Sequence, residues 1–190
     1  GMSQIYVTGN LSEEFKKSDP IYKDLKFLER NFNGSVPLEI LIDTKRKNGI
    51  QSASTLKRIN QLQDSLQKME ELSRPLSIVD GLKFAKQGFY RGDSSFYEMP
   101  TSQERNFILS YLPNDKNARQ GLIGSLTDST GRYARITMQV QDLGTEESHE
   151  LKADIAAAVD KIFPGERYDV MVTGAWVVFL KGTSYLIKNL

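Results

Sequence analysis

The 190-residue chain has no cysteine, a single histidine and a single tryptophan. Without thiols it forms no disulfide framework, no thiolate zinc site and no cysteine nucleophile. A charge excess of one sign is missing as well, because 25 Lys+Arg against 24 Asp+Glu leave a formal net charge of +1. So nearly neutral a chain has no field with which to wrap nucleic acid or hold an anionic surface, and no nucleic-acid partner is expected. Long apolar runs are absent: the longest, Ala175 to Leu180, falls far short of the ~20 residues that span a bilayer. The opening residues hold no basic segment leading into an apolar one, so no signal peptide is expected in them. Gly1-Met2 reads as a cloning scar, which makes the chain an expected excised fragment. What is present, 39% apolar and 26% charged residues, is enough for a folded core, and the length suits one domain or two small ones.

Hydrophobic periodicity predicts two strand–helix–strand units. Residues 4–8 alternate like a short strand, and Tyr22, Leu25, Leu28 and Phe32 have helical spacing. Residues 38–43 read as a strand with Pro37 at its start, where a missing amide donor is tolerated. Leu56, Ile59, Leu62, Leu66, Met69 and Leu72 form one helical stripe with Ser54 as the expected N-cap, and residues 76–79 are expected to return as a strand. The middle is less regular, with helices predicted over 82–89 and 101–111 and a turn at Arg91-Gly92-Asp93. A turn at 128–131 leads into a strand that places Ala134, Ile136, Met138 and Val140 on one face. Thr145 is expected to cap a helix buried through Leu151, Ile155, Ala158 and Ile162, and Tyr168, Val170 and Val172 mark the strand after it. Helical spacing then resumes through Trp176, Phe179, Leu180, Thr183, Ile187 and Leu190. Two units with one apolar stripe per helix predict an α+β, ferredoxin-like split βαβ sandwich. Within a single domain, 1–190, the subregions are 22–79 and 118–173 for the two units, 80–117 for a helical, aromatic middle, and 174–190 for the terminal helix.

Catalytic chemistry finds little support in the residues. Glu146, His149 and Glu150 share a helix face with metal-ligand spacing, which raises a metal enzyme or hydrolase as one hypothesis, but an exposed first turn is the favoured reading. No serine stands in a Gly-x-Ser-x-Gly elbow, and Gly121-Leu122-Ile123-Gly124 lacks the rest of a phosphate loop or dinucleotide fingerprint. No cofactor, metal or catalytic residue is expected. The aromatic residues of the middle are mainly core by this reading. Phe89, Tyr90, Phe96 and Tyr97 are the candidates for an apolar path open to an amphiphilic ligand. Trp176 and Tyr185, interspersed with lysines and apolar residues, suit a helix approaching a bilayer surface.

The order of several segments resembles a known family. These are Asn31-Phe32-Asn33-Gly34-Ser35-Val36-Pro37-Leu38-Glu39-Ile40, the helix from Leu56 to Leu72, and Pro75-Leu76-Ser77-Ile78-Val79-Asp80-Gly81-Leu82-Lys83. Tyr97-Glu98-Met99-Pro100, Arg135-Ile136-Thr137 and the Thr173-Gly174 pair before a helix follow. Together they resemble the extracytoplasmic porter loops of resistance–nodulation–division (RND) exporters, in the hydrophobe/amphiphile efflux, MMPL-like branch, and look more like the second loop than the first. The resemblance covers about Tyr22 to Leu190 and rests on the order of many segments rather than on one motif.

It implies a domain of a proton-driven exporter at the periplasmic face of the bacterial inner membrane. The domain would form a path for hydrophobic or amphiphilic small molecules or lipids. Its partners would be the other porter loop and the membrane helices of the parent, with residues 182–190 running into the next helix. The proton-relay carboxylates of such exporters lie in membrane helices outside this chain. The alternative is a stand-alone ferredoxin-like ligand-binding or protein-interaction module.

Overall fold

The computed structural model describes residues 35–111, 124–178 and 180–181. The strand expected at 4–8, the helix expected at 22–32 and Tyr185 lie outside the described residues.

Strand β1, Ser35–Asp43, alternates so that Leu38, Ile40 and Ile42 point inward and are fully buried. It forms the middle of a three-stranded sheet, between β2, Tyr133–Gln141, and β3, Asp169–Thr173. Both pairings are antiparallel, with Ile40 opposite Ile136 on one side and opposite Val172 on the other. The outer strands therefore run the same way and are joined through the long helix that follows β2. Pro37 pairs with Gln139, while β3 reaches only as far as Glu39, so no β3 carbonyl waits for the amide hydrogen that Pro37 lacks. Gly174 follows β3 directly; its φ of +102 suits glycine, and a Cβ there would stand 2.9 Å from the Pro37 carbonyl oxygen.

Helix α1, Ala53–Gln67, covers the inner face of the sheet with Leu56, Ile59, Leu62 and Leu66. Its N-cap is Ser52, whose hydroxyl accepts from the Thr55 amide, and not the expected Ser54, which stands exposed inside the first turn. The stripe also ends earlier than its spacing predicts, since Met69 and Leu72 fall in the turns after the helix. The strand expected at 76–79 does not form. Leu72 and Leu76 make isolated bridges to Val140 and Thr137 along the outer edge of β2, and then the chain turns into helix α2, Ile78–Phe89. Two features stop the strand: Pro75 has no amide donor, and Ser77 with Asp80 forms a reciprocal capping box that starts the helix at once.

Helix α3, Ser102–Tyr111, packs against α2. After a further short helical piece at 124–126, β2 leads into helix α4, Thr145–Ile162, which lies beside α1 on the same face of the sheet. Gly144 takes the N-cap position, and Thr145, expected there, is the first helical residue with its hydroxyl buried and unpartnered among the described residues. Leu151, Ile155 and Val159 are the buried stripe, while Ala158 and Ile162 pack at its margin. The Thr55 hydroxyl lies 2.9 Å from the Tyr168 hydroxyl, and Phe163 meets the Tyr168 ring edge-on at 5.1 Å, which ties the start of α1 to the far end of α4. The chain is thus α+β, with helices on the inner face of an antiparallel sheet. On the outer face Asp43 takes two bonds from Arg132, at 2.7 and 2.8 Å, and Glu39 pairs with Arg135 at 3.6 Å. No helix among the described residues is long and apolar enough to cross a membrane.

Candidate functional site

A groove of about 510 Å³ opens where the start of α1, the helices α2 and α3 and the turn before β2 converge. Its floor is apolar, made by Ile50 and Leu56 from the entry to α1 and by Ile78 and Leu82 from α2. The rim is polar: Asn48 and Gln51 on one side, Ser102, Arg105 and Asn106 of α3 on another, and residues 127–129 and Gly131 opposite. An apolar floor under a few convergent polar groups is the usual build of a small-molecule site.

Local chemistry shapes each wall. The turn before β2 folds around Asp128, whose carboxylate accepts from the amides of Thr130, Arg132 and Tyr133 and from the Thr130 hydroxyl. Burial pushes that carboxyl up, but these donors outweigh it and hold it below the usual range. Gly131 has a φ of +65 and its Cβ position lies 3.1 Å from the Asn48 Cα, so backbone approaches backbone closely here. The amides of Asn48 and Ile50 donate to the Thr130 and Gly131 carbonyls at 3.0 and 3.1 Å, which clamps the entry of α1 onto the turn. Across the groove, Arg105 Nη1 donates to the Gln51 carbonyl at 2.8 Å. Among the described residues Arg105 has no carboxylate partner.

The wall made by α3 is braced from behind. Lys86 of α2 has a side chain only 5% exposed, and its ammonium donates to Glu98 at 2.8 Å and to Glu104 at 3.1 Å. Glu104 also accepts from the Thr101 amide at 2.8 Å and the Tyr90 hydroxyl at 3.1 Å. The Thr101 amide first, and then Lys86, lower the Glu104 carboxyl to about 2. The Glu98 bond in turn raises the Lys86 ammonium above its ordinary value, and the bond to Glu104 raises the Tyr90 phenol. A second buried network holds the start of α2: Gln63 donates to Asp80 at 2.6 Å and to the Pro75 carbonyl at 3.1 Å, and accepts from Ser77 at 2.5 Å.

The aromatic candidates from the sequence are brought together in part. Tyr90 stacks on Phe96 at 4.0 Å and meets Phe89 edge-on at 5.2 Å, while Tyr97 turns away to hydrogen-bond Arg74 at 2.9 Å and Asp80 at 3.3 Å. None of the four lines the groove. Trp176, expected to approach a bilayer surface, is 3% exposed and packs in the core. Glu146, His149 and Glu150 are exposed on the first turns of α4, and no cluster of three or more His, Cys, Asp or Glu suited to a metal occurs among the described residues. Sequence reasoning missed Arg105 and the groove residues, which come from separate segments. The only available signal was the pairing of two turn motifs, Asn48-Gly49 and 128–131. The chain matches no protein-family model and no curated protein sequence.

Proposed function

We propose that the chain is an extracytoplasmic porter domain of an RND-type exporter, contributing a path for hydrophobic or amphiphilic substrates rather than catalysis. The observation that carries this is the groove of about 510 Å³ with an apolar floor and polar rim, a site that suits an amphiphile. The resemblance in the order of sequence segments is what supports this family, the periplasmic face of the inner membrane as location, and the other porter loop and the membrane helices of the parent as partners. We assign the fold to the ferredoxin-like split βαβ class. Support comes from the strand order β2-β1-β3 with α4 joining the outer strands, and from the 71–76 segment bonded along the free edge of β2, where a fourth strand would run.

The second reading is a stand-alone ligand-binding module that uses the same groove. The sequence of the parent gene on either side separates the two. Apolar runs of ~20 residues beyond both ends support the exporter. A stop codon directly after Leu190, with no membrane segment upstream, overturns it and leaves the binding module.

A further inference from the structure

We infer that the groove selects amphiphiles with a singly charged carboxylate head, and that Arg105 is the residue that reads it. The inference rests on the reading of the groove as a ligand site and names the ligand class it would take. Arg105 is the one cationic residue among the described residues of the lining, half-buried at the rim, and its guanidinium spends one N–H on the Gln51 carbonyl. That bond fixes the plane of the guanidinium and leaves the other donors for a ligand, in the fork that matches a carboxylate. The only carboxylate among the described residues of the walls, Asp128, is already bonded by three backbone amides and a hydroxyl of its own turn, so it is not a partner that Arg105 must surrender.

One cation without a carboxylate partner among the described residues balances one negative charge, which favours a carboxylate over a doubly charged phosphate monoester. Ser102 and Asn106, on the same helix, are the remaining polar groups of that wall, and the chain of the ligand would lie over Ile78 and Leu82. A cationic amphiphile would bring its charge against Arg105, and a neutral one would leave the guanidinium without its second partner.

The test uses the 190-residue chain with decanoate, decan-1-ol and decyltrimethylammonium, each below its aggregation concentration. Binding is followed by calorimetry and by amide chemical shifts. Decanoate is expected to bind about tenfold more tightly than decan-1-ol, with shifts centred on 48–51, 102–106 and 127–131, and the cation more weakly still. Arg105→Gln should remove this preference, so that decanoate and decan-1-ol bind alike, and Arg105→Lys should restore part of it. Equal binding of decanoate and decan-1-ol to the wild-type chain, or a preference that survives Arg105→Gln, overturns the role of Arg105 and leaves the groove reading standing. No binding of any of the three, or shifts only outside the groove, overturns both.

Discussion

Lys86 is the buried cation on which the α2–α3 contact turns. Its two carboxylates differ in setting, since Glu98 is 62% exposed and Glu104 28%. Water screens the first, so the second carries most of the pairing. Lys86→Ala should therefore cost about 1–2 kcal/mol in urea denaturation rather than the full penalty of an orphaned interior charge. The titration of the cluster follows from the same contacts. Glu104 has a folded value of about 2 against an ordinary 4.5, so its contribution is complete above pH 4.5 and is lost as pH falls toward 2. Lys86 works in the opposite sense: raised above an ordinary 10.5, it stabilises fully below that pH and ceases to as pH climbs past its folded value. The urea midpoints of wild type and Glu104→Gln should converge between pH 4.5 and 2. Parallel profiles would mean that Glu104 does not carry the brace.

At the scale of the element, caps decide where helices start, and here two neighbouring serines make the point. Ser52→Ala removes the acceptor of the Thr55 amide and should cost about 1 kcal/mol, while Ser54→Ala should be nearly silent. Helix α2 carries avoidable cost in Gly88, where an added Cβ meets nothing within 4 Å. Gly88→Ala should raise stability by about 0.5–1 kcal/mol. Gly174→Ala should lower it by about 1–3 kcal/mol, through positive φ and the nearby Pro37 carbonyl, and thermal melts of the pair read both signs. These details also mark what could be read beforehand. Strong alternation in β2 and strict spacing in α1 and α4 exposed their buried faces, because burial imposes those periods directly. The 76–79 segment misled because its apolar run suits a strand, while Ser77 and Asp80, three residues apart, carry a helix-start signal that outranks it. The groove was illegible for another reason: its lining comes from residues 48 to 131, and no spacing rule joins Arg105 to Gln51.

For the molecule as a whole, the exporter reading expects some surface to be covered in the parent. Phe84 and Val178 are 67% and 68% exposed, large apolar side chains that contribute little to the core. Phe84→Ser and Val178→Ser together should leave the urea midpoint within about 0.5 kcal/mol of wild type and reduce concentration-dependent association in sedimentation. A chain that sediments as a monomer at every concentration would remove this support for a covered surface. The sheet has a last consequence, for the order of events during synthesis. β1 is made before both of its partners, β2 following about 90 to 106 residues later and β3 about 126 to 134 residues later. While the ribosome is still adding the residues between them, the central strand has neither neighbour and its apolar face has no sheet to join. Closing such distant pairs costs loop entropy before any contact rewards it, so the chain is expected to fold late and slowly for its size. Until β2 and β3 have been made, then, the segment that becomes the middle of the finished sheet is an unpaired strand within reach of other exposed apolar segments.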